Sequence, residues 1–138
     1  IADSLTIPIA GGEEESSMRR FRSMIENGVV QIVQPDLFYF GGLIRSIRVA
    51  RMAGAAGMDC TPHMSGGGLG YLYVLHYASC VPNPGPFQEY KGETDGLPIS
   101  SAASSLKSEN GVIKVPTEPG LGVTIDPDFI RKSTVVSS

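Results

Sequence analysis

Short apolar runs alternate with amphipathic stretches over the first two-thirds of the chain. The apolar runs cover residues 5–10, 29–34, 58–62 and 87–90. Helix-like stretches follow the first three runs, at about residues 16–27, 43–56 and 66–78. Gly28 and Gly57 are placed to end the first two of these helices. Alternating strands and helices with short links predict an α/β fold, with a parallel sheet and helices outside it.

The last third of the chain lacks this alternation. We expect irregular loops over residues 95–110, a strand over 111–115, turns over 116–127 and a frayed tail from residue 132. The chain is therefore predicted to have two parts. Residues 1–95 hold about four βα units, and residues 96–138 form a loop-rich C-terminal extension.

Four βα units amount to half of a (β/α)8, or TIM-like, barrel. A complete barrel needs about 250 residues, and half of one leaves two unpaired strand edges. The chain also begins without a methionine. We therefore expect the chain to be the C-terminal half of a barrel whose missing N-terminal half is supplied by another segment. An open doubly wound sheet is the alternative, because strand order cannot be read from the sequence.

Composition excludes several classes of function. The 138 residues carry a net charge of −3, which does not suggest a surface for nucleic acid. No run of 18 apolar residues predicts a membrane-spanning helix, and the start of the chain does not resemble a signal peptide. Two cysteines, Cys60 and Cys80, are too few for a disulfide scaffold. We expect both to be free and buried, in a cytoplasmic protein.

Ionisable residues occur where the apolar runs end. Each run ends in, or closely precedes, one of four such residues: Glu13, Asp36, His63 and Glu89. In a parallel barrel the carboxyl ends of the strands meet at one face, where catalytic residues lie. Each residue alone is more readily explained as a solvated loop residue or a helix cap than as a site residue. Four in succession indicate a shared site.

Other candidate residues have simpler interpretations. Glu14 and Glu15 suit the first turn of a helix, where the helix dipole favours negative charge. The glycine-rich segment 65–70 lacks the motif of a phosphate-binding loop, and we interpret it as a loop over the substrate, with Ser65 and Gly66 as substrate-binding residues. His76 is expected to be structural, and Cys60 with His63 lacks a second pair of zinc ligands.

Several short segments together resemble the enolase superfamily, specifically its mandelate racemase/muconate lactonizing enzyme-like branch. They are PIAGGE (8–13), VQIVQPD (30–36) followed by Gly41-Gly42, DCTPH (59–63), FQEY (87–90) and VPTEPGLGV (115–123). The intervals from residue 13 to 36 and from 36 to 63 also fit the family. The likeness covers nearly the whole chain.

The resemblance implies a role for each of the four residues. Glu13 matches the last of three carboxylate ligands to Mg²⁺. Asp36 and His63 match an aspartate–histidine dyad that acts as general acid or base, and Glu89 matches a glutamate next to the substrate carboxylate. The family has two further metal ligands, and often a lysine acid/base, on earlier strands that this chain does not contain.

These roles are chemically consistent with one another. A proton next to a carboxylate is very weakly acidic, and its removal creates a dianionic enediolate. Mg²⁺ is a hard cation that can neutralise this charge, and an imidazole that titrates near neutral pH is a suitable base. A protonated Glu89 could donate a hydrogen bond to the enediolate.

The resemblance implies a lyase that dehydrates an acid sugar to a 2-keto-3-deoxy product, although the chain alone is expected to be inactive. Racemisation or epimerisation of a hydroxy acid is the nearest alternative. A non-catalytic fragment that completes a partner's barrel, or a small-molecule binding module, is an alternative of another class. A capping domain toward which the extension returns, and assembly into a homo-oligomer, are also implied.

Overall fold

The computed structural model describes residues 2–65, 67–91 and 98–134. The chain forms two compact units, residues 1–91 and residues 92–138. The boundary expected between residues 95 and 96 lies outside the described residues. None of the described helices is long and apolar enough to span a membrane.

The described residues of the first unit form three parallel strands and three helices, preceded by a 3₁₀ turn at Ala2–Ser4. In chain order the elements are β1 (Ala10–Gly11), α1 (Met18–Glu26), β2 (Ile32–Val33), α2 (Leu43–Ala55), β3 (Asp59–Cys60) and α3 (Gly70–Cys80). The strands lie side by side in chain order, with Gly11 opposite Val33 and Val33 opposite Cys60. The α/β prediction is confirmed.

Single bridges extend this sheet beyond the regular strands. Asp36 pairs with His63 three residues after Val33 pairs with Cys60, so the register of β2 and β3 continues to the dyad. On the other side of β3, Cys60 pairs in parallel with Pro84. The chain therefore adds each new segment at the same edge, in sequence order.

The core lies between the sheet and the helices. Phe21 of α1 meets Phe40 edge to face, with ring centroids 4.9 Å apart. Tyr77 of α3 is fully buried, and its hydroxyl donates to the Ser46 carbonyl of α2 at 3.0 Å. The buried members of this core are Phe21, Val30, Val33, Leu37, Phe40, Val49, Ala50, Ala53, Cys60, Tyr77 and Val81.

The first two helices end as predicted, at glycines with a left-handed backbone. Gly28 has a φ of 59° and Gly57 a φ of 73°. In each case the following N–H reaches back to a carbonyl of the last turn, from Val29 to Met24 and from Met58 to Ala53. This arrangement satisfies carbonyl groups that a helix terminus leaves without a partner.

The strands differ from the prediction. Residues 5–8 are exposed and only Ala10–Gly11 pairs, so the first run was predicted too long. The fourth run was wrong as a strand, because the segment that pairs with β3 is at Pro84 and Phe87 is 83% exposed. The apolar runs located the region of each strand, but they did not identify the residues whose backbone pairs with the adjacent strand.

The second unit has little regular structure. Its elements are β4 (Ile99–Ser100), β5 (Thr124–Ile125) and the short helix α4 (Pro127–Lys132), with β4 and β5 antiparallel. The predicted strand at 111–115 is wrong, because the pairing there is one bridge between Glu109 and Val112. The predictions of irregular loops at 99–100 and of turns at 124–125 were also wrong, because these residues form β4 and β5.

The two cysteines differ in environment. Both are free, as expected, but Cys80 is exposed and only Cys60 is buried. The Cys60 Sγ lies 3.1 Å from the Tyr77 hydroxyl, and burial raises the pKa of this thiol to about 11. Cys60 is therefore a packed, protonated core residue.

Candidate active site

Asp36 lies just beyond β2 with no exposed surface. Its Oδ1 accepts hydrogen bonds from the backbone N–H groups of Phe38, at 2.7 Å, and Tyr39, at 3.1 Å. Its Oδ2 accepts one from the N–H of Ser65 at 3.2 Å and lies 2.9 Å from Nδ1 of His63. Both oxygens of a buried carboxylate are thus fully engaged.

These contacts favour the ionised form of Asp36. Burial alone raises the pKa of a carboxyl group, because the charged form loses its hydration. Hydrogen bonds from Ser65, His63, Tyr39 and Phe38 oppose the effect of burial and leave the pKa of Asp36 below its ordinary value. Asp36 is therefore a permanent acceptor near neutral pH.

His63 follows β3, and its position is set by the sheet. Its backbone N–H donates to the Pro35 carbonyl at 3.3 Å, and its side chain is 25% exposed. Because an ionised carboxylate can only accept, the contact with Asp36 places a proton on Nδ1. The neutral ring then has an unprotonated Nε2, which can act as a base.

Glu89 lies on the other side of this imidazole. Its Oε2 is 4.0 Å from Nε2 of His63 and accepts a hydrogen bond from the N–H of Met64 at 2.7 Å. The side chain is 35% exposed. Three successive residues, His63 to Ser65, therefore contact both carboxylates and hold them on opposite sides of one ring.

Glu13 follows β1 after a constrained turn. Gly12 has a φ of 107°, and a Cβ there would lie 2.8 Å from Cε1 of Phe21, so a glycine is required. Glu13 itself is half-buried, and within residues 2–65, 67–91 and 98–134 its side chain has no hydrogen bond or ion pair. The structure thus brings Asp36, His63 and Glu89 together and leaves Glu13 without a described contact to them.

The fit of Glu13 to Mg²⁺ can be tested by its chemistry. An unpaired carboxylate at a strand end is a suitable oxygen ligand, but Mg²⁺ requires near-octahedral coordination. In the described part of the chain no group of three histidine, cysteine, aspartate or glutamate side chains could hold a metal. Glu13 can therefore fill one position of such a site, with further ligands from other segments.

The substrate-binding prediction concerns two neighbouring residues. Ser65 uses its N–H to hold Asp36, so this group is engaged within the site. Gly66 lies outside the described residues. The backbone donors of Phe38, Tyr39 and Met64 were not predicted, because a backbone N–H leaves no mark in the sequence.

Comparison with known proteins identifies a family. The family described as enolase C-terminal domain-like matches residues 1–129. This match covers nearly the whole chain and includes all four predicted site residues.

Curated relatives resemble the chain over most of its length. It is 32% identical to an arabinonate dehydratase of Saccharolobus solfataricus over 125 residues, which is 91% of this chain and 33% of that protein. It is 33% identical to a D-galactonate dehydratase of Klebsiella pneumoniae over 136 residues, which is 94% of this chain and 35% of that protein. The chain thus spans about a third of the length of these relatives.

Solved structures share the fold. An enolase superfamily member from Salmonella Typhimurium superposes with a TM-score of 0.79 at 26% identity, over 96% of this chain and 34% of that one. A mandelate racemase/muconate lactonizing enzyme from Sulfitobacter sp. gives a TM-score of 0.77 at 28% identity, over 94% and 32%. The resemblance seen in the sequence is confirmed.

Proposed function

The chain belongs to the enolase C-terminal domain-like family, and from this premise we propose that it supplies the acid–base part of an active site that removes a proton next to a carboxylate. The observation that carries the proposal is the imidazole of His63 between two carboxylates. Its Nδ1 is 2.9 Å from Asp36, and its Nε2 is 4.0 Å from Glu89.

His63 is the base in this proposal. Ionised Asp36 keeps the proton of the neutral ring on Nδ1, so that Nε2 carries the lone pair that can accept a proton. Nε2 takes the proton from the carbon next to the substrate carboxylate, and the electron pair moves into the carboxylate to form an enediolate. General base catalysis of this kind contributes about 10²–10⁴-fold to the rate.

Dehydration is completed by the same ring. Imidazolium Nε2–H returns its proton to the departing hydroxyl at the neighbouring carbon, which leaves as water. The resulting enol tautomerises to a 2-keto-3-deoxy acid. The support for an acid-sugar substrate is that the two curated relatives described above are dehydratases of arabinonate and D-galactonate.

Glu89 is proposed to contact the reacting carboxylate of the substrate. Its Oε2 already accepts the N–H of Met64, so Oε1 is the oxygen left for the substrate. In its protonated form Oε1 would donate a hydrogen bond to the oxygen on which negative charge develops. Such a donor stabilises the transition state more than the ground state.

Glu13 is proposed to be one of three carboxylate ligands to Mg²⁺. When bound, the ion would supply positive charge to offset that of the enediolate. The other two ligands are expected from the part of the protein that corresponds to the remaining length of the relatives. The chain alone is therefore expected to be inactive.

The half-barrel prediction is retained as part of this proposal. The order β1-β2-β3, followed by the bridge of Cys60 to Pro84, is that of successive barrel strands. Residues 96–138 are proposed to return toward a capping domain. The whole protein is proposed to bind a small hydroxy acid or acid sugar and to form a homo-oligomer.

The test follows the proton and the product separately. The whole protein that carries this chain would be incubated with Mg²⁺ and arabinonate or D-galactonate in D₂O and observed by ¹H NMR. Dehydration gives the 2-keto-3-deoxy acid with deuterium at carbon 3. A racemase or epimerase instead exchanges the proton at carbon 2 without loss of water.

Two variants decide the role of His63. His63→Asn is expected to lower the rate by at least about 10²-fold, whereas His76→Asn, which changes the other histidine, serves as the control. Full activity of His63→Asn would refute the mechanism. Absence of exchange and product with a panel of acid sugars would favour the non-catalytic alternatives.

A further inference from the structure

Phe38 connects the two loops that hold the dyad. The first loop, residues 36–42, follows β2, and the second loop, of which residues 63–65 and 67–69 are described, follows β3. The N–H of Phe38 donates to Oδ1 of Asp36 at 2.7 Å in the first loop. Its ring lies against Gly70, which begins α3 directly after the second loop.

The contact between the ring and Gly70 is close. A Cβ at Gly70 would lie 2.5 Å from Cζ of Phe38 and 3.3 Å and 3.4 Å from the two Cε atoms. Real Cβ atoms do not approach a ring so closely. The position also requires no left-handed backbone, because Gly70 is not among the positive-φ glycines. Its glycine is therefore explained by the ring that rests on it.

The exposure of Phe38 argues against a purely structural role. The side chain is 46% exposed, whereas the core aromatics Phe21 and Phe40 are fully buried. Glycine is also a weaker helix former than alanine. The first residue of α3 is thus a glycine on which a half-exposed ring rests beside the dyad.

We propose that Phe38 is a positioning residue for Asp36, and that its seat on Gly70 fixes the tautomer of His63. The N–H groups of Phe38 and Tyr39 hold Oδ1, while Ser65 and His63 engage Oδ2. The carboxylate keeps its plane only while the two loops keep their relative position. Displacement of the ring moves the Oδ1 donors and turns Oδ2 away from Nδ1.

The effect on catalysis rests on the proposed function, but the effect on the tautomer does not. The chain contains only two histidines, so the ¹⁵N imidazole signals of His63 can be assigned by comparison with His76→Asn. In the neutral imidazole of the unchanged chain, His63 is expected to show a protonated Nδ1 and an unprotonated Nε2.

Gly70→Ala is the principal test. We expect the ratio of the Nδ1–H to the Nε2–H form of His63 to fall by roughly tenfold, because a hydrogen bond to a charged acceptor is weakened. Gly54→Ala is the matched control, since it adds a Cβ to helix α2 against the Asn83 side chain at 3.2 Å, away from the dyad. It should leave the ratio unchanged.

A second variant distinguishes displacement of the ring from general damage to the fold. In Phe38→Ala the ring is absent, so adding Gly70→Ala should change the ratio no further. If Gly70→Ala alone does not fold, the double variant is still expected to fold and to match Phe38→Ala. An unchanged ratio in Gly70→Ala, or a double variant worse than Phe38→Ala, would overturn the proposal.

The same variants can be measured in the whole protein. Gly70→Ala should lower kcat by about tenfold to a hundredfold with little change in KM, because the base is misaligned after the substrate is bound. A failure of the proposed function would appear separately, as full activity in His63→Asn.

Discussion

Two carboxylates in this chain collect hydrogen bonds in the same way but in different surroundings. In the first unit Asp36 accepts the N–H groups of Phe38, Tyr39 and Ser65. In the second unit Glu118 accepts those of Ala102, Ala103 and Thr117, together with the Ser101 hydroxyl. Hydrogen bonds hold the pKa of both carboxyls below the ordinary value.

The difference lies in the side chain at which each hydrogen-bond network ends. Asp36 is fully buried, and its network ends at the His63 imidazole, whose other nitrogen lies 4.0 Å from Glu89. Glu118 is half-buried, and its network ends at a serine hydroxyl of the same loop. The same arrangement of donors therefore fixes a loop in one unit and orients a base in the other.

Asp36→Asn is expected to have the largest effect. Loss of the charge weakens three backbone hydrogen bonds in a buried place, and the free energy of unfolding of residues 2–91 should fall by about 3 kcal/mol. Urea titration followed by NMR amide signals measures this. In the whole protein, turnover should fall on the order of 10³–10⁴-fold, because the tautomer of His63 is no longer fixed.

Glu118→Gln is the matched control for that change. It removes the charge from a similar network without an imidazole, so turnover should change by less than about twofold if the loop only supports the fold. Equal loss of turnover in the two variants would break the distinction between the carboxylates.

The second unit also depends on one close backbone approach. Gly120 and Gly122 both have a φ of 72°, but a Cβ at Gly122 would lie 2.6 Å from Cβ of Pro116, and one at Gly120 meets nothing within 4 Å. Gly120→Ala should cost about 1–2 kcal/mol from backbone strain alone. Gly122→Ala should have the same cost of backbone strain and, in addition, a cost of about 1–3 kcal/mol from the steric overlap with Pro116.

The loss is expected in the second unit. Urea titration of amide signals from residues 98–134 should show it, with signals from residues 2–91 as the internal reference. Equal costs for the two alanines would mean that the loop yields to the added methyl group.

The sequence allowed the helices and the approach of the dyad to be anticipated for physical reasons. Helical spacing and the glycines at 28 and 57 mark α1 and α2 to within two residues, because caps and periodicity are local. The contact of Asp36 with His63 follows from sheet register, since each lies three residues beyond a paired strand residue.

The rest depends on the backbone and on distant packing. The N–H groups of Phe38 and Met64 would be present with any side chain at those positions. The pairing of Cys60 with Pro84 could not be predicted from the sequence pattern, because the paired segment is Asn83-Pro84 and both residue types are depleted in strands. The contact of the Phe38 ring with Gly70 joins residues 32 positions apart, and a glycine in the sequence does not indicate which side chain packs against it.

The titration of Glu118 gives a smaller and more local effect. Hydrogen bonds from its own backbone, from Ser101 and from the N–H groups of Ala103 and Ala102 lower its pKa from 4.5 to about 2. A lowered pKa in the folded state means that the carboxylate stabilises the loop above about pH 4.5, and that this contribution is lost as the pH falls toward 2.

The amide chemical shifts of Ala102 and Ala103 should follow that transition with a midpoint near pH 2. A midpoint near 4.5 would show that the hydrogen bonds do not persist in solution, and Glu118→Gln should abolish the transition.

Glu13→Gln should have the smallest effect on stability of the three carboxylate substitutions. Unlike Asp36 and Glu118, Glu13 has no side-chain partner among the described residues, so no folded-state interaction is lost with its charge. The free energy of unfolding of this chain should stay within about 0.5 kcal/mol of the original value. In the whole protein, the same change should weaken Mg²⁺ binding measured by calorimetry, because one oxygen ligand loses its charge.

A fall in stability above about 1 kcal/mol would place Glu13 with the carboxylates that stabilise the fold. Unchanged stability together with weakened Mg²⁺ binding would identify Glu13 as a carboxylate that binds a ligand and does not stabilise the fold.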